Sequence, residues 1–296
     1  MRHLVYCQTT TSPLEIAHLF FILSTVYDIR YTIPMDYFNV KHFKEMAGYD
    51  IDGIWYPRVT KIVDIKAKPA LYKFYAEMNS FAQGEDIKAK SASEGTLIHE
   101  TVEALLIGNP PAGGSLDPSI KPAIDAFVEF IDKNKIQVDP ELIEKRVVNY
   151  DERYAGTLDA MAIINGKFGV LDIKTSQSIY RDYNLQTSAY MGALEKDFPT
   201  LQTRWILRID QNKICYKCEA TLRPKGGRDK IRLAWNAKDK SVRAKSETCE
   251  HEWSDLRGEV ELKEFPYWKD DFKAFLGAKK LWEWENEFWL KQVGYF

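Results

Sequence analysis

Several things are scarce in this 296-residue chain, and each scarcity excludes something. Charge of one sign is missing: 41 basic side chains against 43 acidic ones leave a net of −2. That excludes a polycationic, histone-like binder, and no acidic low-complexity tail is present. Long apolar runs are missing too. The longest, residues 16–26, is interrupted by His18 and Ser24 and is too short to span a bilayer, so no membrane partner is expected. Cysteine is rare, with four in the whole chain, which excludes a disulfide scaffold and points to a reducing, cytoplasmic compartment. No G-x-x-x-x-G-K-[ST] occurs, so any motor would be another chain. His99-Glu100 does not open a zinc-protease motif, because position 103 is Glu rather than His.

What is present suffices for a sizeable core: 45% of residues are hydrophobic and 13% aromatic. The length suits one elaborated domain or two small ones. Residues 1–55 read as a leader or peripheral segment, with an amphipathic helix over about residues 13–27. Pro57 and Pro69 each open a helical pattern. Ser91 and Glu94 have capping-box spacing ahead of a periodic helix with Leu97, Ile98, Val102, Leu105 and Leu106. A helix is predicted over about residues 118–133. The period then changes to two. Strands are expected over residues 142–150, 157–164 and 168–173, with a turn at 151–156 and an Asn165-Gly166 hairpin. A helix over 180–198, a strand over 204–209, a basic stretch and a helix over 269–293 complete a mixed α/β (α+β) domain, helices packed on a small β-β-β-α-β sheet.

The chemistry concentrates in four short segments. Gly156-Thr157-Leu158-Asp159 puts an acid on one strand, and Leu171-Asp172-Ile173-Lys174 puts an acid and a lysine on the same face of the next. The hairpin brings Asp159 and Asp172 together, and two such carboxylates call for a cation of the Mg²⁺ or Mn²⁺ kind. A lysine beside that ion suits water positioning and phosphate neutralisation. Tyr183, Gln186 and Tyr190 share one helix face, suited to phosphate and base contacts. Gly95-Thr96-Leu97-Ile98-His99 carries an imidazole one turn before Glu103, and nitrogen among oxygen ligands favours Mn²⁺.

In this order the four segments resemble the PD-(D/E)XK nuclease superfamily, in its RecB-type and phage-type exonuclease branch. Gly95, Thr96 and His99 match G-T-x-x-H, Gly156 and Asp159 match G-x-x-D, Asp172 and Lys174 match D-x-K, and Gln186 and Tyr190 match Q-x-x-x-Y. Tyr56-Pro57-Arg58-Val59-Thr60 is similar to that branch's Y-P-S-V-T, with Arg58 in place of serine. The likeness covers about residues 56–210. It implies a restriction-endonuclease-like core at about residues 91–210 within a nuclease domain of residues 56–296, in a bacterial or phage-infected cell. It also implies Mg²⁺- or Mn²⁺-dependent hydrolysis of DNA ends or single strands in recombination, repair or replication. His99, Asp159, Asp172 and the Ile173 carbonyl would be ligands, Lys174 the catalytic lysine, and Gln186 and Tyr190 its supports. Glu144 stands as an accessory acid without a diagnostic spacing. The alternatives are a site- or structure-specific endonuclease on the same core and a non-catalytic DNA-binding subunit of a helicase–nuclease assembly, so a helicase or recombination partner stays open.

The chain holds its own control. Asp64-Ile65-Lys66 repeats the tripeptide, with Asp52 upstream, but the offsets that lead from Lys174 to Gln186 and Tyr190 lead from Lys66 to Met78 and Ala82. That copy reads as surface charge. Cys7, Cys215, Cys218 and Cys249 match in number the iron–sulfur ligands of some RecB-like relatives. However, Cys215 and Cys218 on a strand would face opposite ways, and Cys249 follows about 30 residues later. They read as ordinary thiols, not as cluster or zinc ligands. Residues 223–245 hold nine basic residues against two acids, with Trp235 in the middle. This stretch, through Arg223, Lys225, Arg228, Lys230, Arg232 and Trp235, reads as a DNA-tracking surface. Trp282, Trp284, Phe288 and Trp289 read as helix packing.

Overall fold

The computed structural model describes residues 37–109, 116–236 and 239–296. Cys7 and the helix expected over residues 13–27 lie outside them. The chain divides into two units, Met1–Tyr56 with Lys279–Phe296, and Pro57–Ala278. The last 18 residues thus group with the N-terminal segment.

In the first unit, helix α1 (Val40–Ala47) leads into a hairpin of β1 (Gly48–Ile51) and β2 (Ile54–Pro57). Asp52 and Gly53 form its turn, both at positive φ, so the Asp52 of the duplicated motif is a turn residue. Phe43, fully buried, stacks on Trp282 and Trp289. Packing is thus the role of those two tryptophans, while Trp284 is 73% exposed.

The second unit is a mixed α/β fold: a multi-stranded sheet flanked by helices. Its helices are α2 (Val59–Val63), α3 (Pro69–Ala76), α4 (Phe81–Leu106), α5 (Lys121–Asn134), α6 (Asp182–Leu194), α7 (Lys240–Glu247) and most of α8 (Lys269–Glu285). Its strands are β3 (Gln137–Asn149), β4 (Tyr154–Ile164), β5 (Lys167–Lys174), β6 (Thr203–Ile214), β7 (Thr221–Lys225), β8 (Arg228–Arg232) and β9 (Arg257–Glu264). The sheet runs β3-β4-β5-β6-β7-β8, and β9 also pairs with β6. Among the described strands of the sheet, β5 and β6 pair in parallel and the others antiparallel, and α6 is the crossover between β5 and β6. Ile98 and Val102 of α4 and Ile124 and Phe127 of α5 pack on Ala160, Leu171, Ile173, Leu207 and Ile209 of the sheet. Each fully buried aliphatic or phenyl group there contributes about 1.5–3 kcal/mol.

Four expectations are corrected. Ser91 and Glu94 cap nothing: α4 is one helix of 26 residues capped by Ser80, and Glu94 instead accepts the backbone N–H of Gly226 at 3.0 Å. The sheet is larger than β-β-β-α-β, because the basic stretch opens with the β7–β8 hairpin and β9 covers the far edge of β6. The helix expected over 269–293 breaks at Asn286, whose side chain takes the Trp282 carbonyl, and resumes as α9 (Glu287–Gln292). Cys215 lies just past the end of β6, where Cys215 to Cys218 turn back, with Glu219 at φ 63°. The two cysteines are therefore not held on opposite faces of a strand. Among the described residues, no helix is long and apolar enough to cross a membrane.

Candidate metal centre and its surroundings

The register of the sheet makes the site. Asn165 and Gly166, both at positive φ, close a tight turn that pairs Ile164 with Lys167, and the ladder continues to Ala160 opposite Leu171. One step further, Asp159 faces Asp172 where the two strands part. The Ile173 N–H, beyond the last pair, donates to Asp159 Oδ2 at 2.5 Å. On the other side of β4, Ile143 pairs with Ala160 and Lys145 with Leu158, which sets Glu144 opposite Asp159. Three carboxylates thus lie in one row across three strands. Glu144 has φ 49°, next to a register shift between Val138 and Ile143, and the irregularity turns its side chain into the site.

From α4, His99 Nε2 reaches Asp159 Oδ2 at 3.2 Å, while its Nδ1 is hydrogen-bonded to Glu103. One ligand atom each of His99, Glu144 and Asp159 lie within 4.8 Å of one another. Glu103 thus orients the imidazole, the role of a partner behind a metal ligand. Buried Asp172 pairs with Lys174 Nζ at 2.7 Å and accepts from Gln186 Nε2 at 3.2 Å. Gln186 also donates to the Tyr190 hydroxyl at 2.9 Å, and Lys174 Nζ lies 5.2 Å from the centre of the Tyr183 ring. All four segments of the sequence pattern converge.

The protonation states follow from this crowding of buried charge. Burial opposes charge on His99, yet the bonds and charges of Asp159 and Glu103 outweigh it and raise the pKa to about 9. Glu144 is raised to about 7 by loss of solvent and then by the negative charges of Glu103 and Asp159. Asp172 is raised to about 6, by burial and the Asp159 charge against the opposing pull of Lys174. Asp159 is lowered despite burial, chiefly through its bond to His99 and the charge of Lys174. Such a set, one imidazole among carboxylates, fits Mg²⁺ or Mn²⁺ with a preference for Mn²⁺.

A pH prediction follows for the metal-free chain. His99, Glu144 and Asp172 all have raised folded pKa values. Their contributions to stability are full below the unfolded values and are lost as pH rises through about 6 (Asp172), 7 (Glu144) and 9 (His99). A divalent ion must displace the same protons, so Mn²⁺ affinity should rise between about pH 6 and pH 9 with proton release. Calorimetry in buffers of different ionisation enthalpy measures both; an affinity flat across that range would contradict the assignment.

Two glycines of the pattern are explained by close approach. A Cβ on Gly95 would lie 2.6 Å from Thr175 Oγ1, and one on Gly156 would lie 2.6 Å from the Tyr190 ring. Val59 of the Tyr-Pro-Arg-Val-Thr segment also packs there, 3.3 Å from the same point. Gly156→Ala should therefore cost about 1–3 kcal/mol by overpacking. It should also lower activity by shifting Tyr190, and with it Gln186. Urea unfolding and a rate assay on one preparation check this, and unchanged values in both would refute the packing argument.

The remaining expected contacts divide. Tyr190 is 1% exposed, so base stacking is closed to it and its role is to hold Gln186. Arg223 donates to Asp210 and to the Thr175 carbonyl, and Lys225 donates to the same carbonyl at 2.5 Å. Both hold the residue after Lys174, and burial lowers the Lys225 pKa to about 8. Arg228 pairs with Glu77. Lys230, Arg232 and Trp235 are exposed, Arg232 bonding Ser178. Arg223, Arg232, Arg257 and Lys263 line a cleft of about 570 Å³ together with Asp210, Glu259 and Glu261. Asp64 of the duplicated tripeptide is half exposed and paired with Lys68.

No family model matches the sequence, and no curated protein matches it. Among solved structures, one entitled "Crystal structure of SSO0001" is 14% identical, with 79% of this chain and 84% of that one covered at a TM-score of 0.28. Another, named "Putative exonuclease" and from Eubacterium rectale, is 9% identical, with 86% of each chain covered at a TM-score of 0.39. At these TM-scores, a functional reading has to rest on the site's own residues.

Proposed function

We propose that the chain is a metal-dependent deoxyribonuclease that hydrolyses phosphodiester bonds at DNA ends or in single strands. The observation that carries this reading is the row of Glu144, Asp159 and Asp172, closed by His99 and flanked by Lys174. His99, Glu144, Asp159 and Asp172, with the Ile173 carbonyl, would hold Mg²⁺ or Mn²⁺. When bound, that ion supplies charge stabilisation at the phosphate and lowers the pKa of water.

The protein's own groups do the rest. Lys174 places a positive charge where negative charge builds on the phosphate, and it orients water for in-line attack. Gln186 fixes the Asp172 carboxylate, and Tyr190 fixes Gln186. The Tyr183 ring lies against the lysine ammonium on one side. Arg223 and Lys225 hold the Thr175 carbonyl and so the end of β5. Arg232, Arg257 and Lys263 offer contacts to successive phosphates, and exposed Trp235 offers a stacking platform.

Linear and covalently closed circular DNA incubated with Mn²⁺ test the exonuclease reading. Linear DNA should be degraded while closed circles stay whole; nicking or linearising the circles would establish an endonuclease instead.

A further inference from the structure

Away from this centre, β6 ends in a second cluster: Cys215, Cys218, Cys249 and His251, each offering one ligand atom within 4.8 Å of the others. We propose that these four side chains bind a structural Zn²⁺ ion as a Cys₃His site. The distances match a single tetrahedral ion. With Zn–S about 2.3 Å and Zn–N about 2.0–2.1 Å, two sulfurs stand about 3.8 Å apart and a sulfur and a nitrogen about 3.6 Å apart. Cys215 Sγ and Cys249 Sγ are 3.9 Å apart, and Cys218 Sγ and His251 Nδ1 are 3.4 Å apart. An iron–sulfur cluster distributes its ligands over separate irons and needs them wider apart.

The backbone is built around the ligands. Cys215 and Cys218 bracket a turn in which the Glu219 N–H bonds the Cys215 carbonyl at 2.9 Å and the Cys215 N–H bonds Ala220. Cys215 also bridges to Trp253, which places the Cys249–His251 arm across from the turn. Ser246, 1% exposed, stands 3.6 Å from Cys218 Sγ and accepts the Ala234 N–H. The Trp253 ring packs on that of His251.

The segment needs such a centre. Among the described residues, its local core is Cys215, Cys218 and Ala220, with Cys249 and Trp253 beside them. The residues of β8 are mostly exposed, and α7 buries only Ser246. A segment without an apolar core is stabilised by cross-links or metal. The ion would clamp one end of the β7–β8 hairpin, while Glu94 holds the Gly226 end.

The test is elemental analysis of the full chain purified without chelators, with labile sulfide measured alongside. About one zinc per chain is expected. It should persist in His99→Ala and Asp159→Asn, fall at least about tenfold in Cys218→Ser and Cys249→Ser, and persist in His251→Cys. Replacement by Co²⁺ should give the visible absorption of a tetrahedral thiolate site in the wild-type chain, which does not depend on any variant folding. Iron with stoichiometric sulfide, no bound metal, or zinc unaffected by both serine substitutions would overturn the proposal. None of these readouts depends on DNA cleavage.

Discussion

Asp172→Asn should abolish Mn²⁺-dependent cleavage while leaving the metal-free chain folded. The loss should be at least about a thousandfold, because charge stabilisation by a correctly held ion accounts for several kcal/mol. Two opposing effects of Asp172 bear on stability. Its charge is disfavoured in the folded state, so its contribution is full below 3.8 and lost as pH rises through about 6. At neutral pH, an uncharged isostere removes that penalty and can still accept from Gln186, but it also removes the carboxylate that pairs with Lys174. Thermal unfolding with EDTA and single-turnover cleavage with Mn²⁺ on one preparation separate the two effects. A variant that is inactive only because it is unfolded, or one that still cleaves, would contradict this.

Lys174→Met is the second large effect, and it differs in kind. On the proposed reading the ammonium contributes to charge stabilisation and water positioning but is not a ligand, so cleavage should fall by about a hundred- to a thousandfold. Mn²⁺ affinity should be equal or higher, because a positive charge 2.7 Å from Asp172 Oδ2 competes with the ion. Methionine keeps most of the stem, including its packing near Tyr183. Titration calorimetry beside the rate assay checks both, and weakened Mn²⁺ binding would make Lys174 a structural prop of the site.

The pairing of Asp159 with Asp172 was legible because Asn165-Gly166 is a turn whose geometry fixes the register on both sides. Glu144 was not placed, and the cause is two residues long. The sequence puts the preceding turn at 151–156, taking Gly156 as a turn residue, and this offsets the register of β3. The turn in fact occupies residues 150–153, closing Asn149 against Tyr154, with Arg153 at φ 50°. Residue 156 lies inside the strand, paired with Val147, and is a glycine because the Tyr190 ring leaves no room for a Cβ. A glycine required by a distant aromatic cannot be told from a turn glycine by local pattern.

The same limit explains Ser91 and Glu94, whose capping spacing serves contact with Gly226. It also explains the cysteines, whose turn becomes apparent only once β6 is seen to end at Ile214. Gly226-Gly227 lies within the basic stretch, between β7 and β8. It is a two-residue hairpin turn pairing Lys225 with Arg228, a geometry that Gly-Gly favours.

The central claim is that His99, Glu144, Asp159 and Asp172 assemble a hydrolytic metal site. Single- and double-stranded DNA, labelled at either end and incubated with the wild-type chain and Mn²⁺, tests it most directly. The predicted result is a time-dependent product ladder that needs Mn²⁺ or Mg²⁺ and disappears with EDTA. Intact DNA at every concentration of both metals, or products that persist in EDTA, would contradict the account.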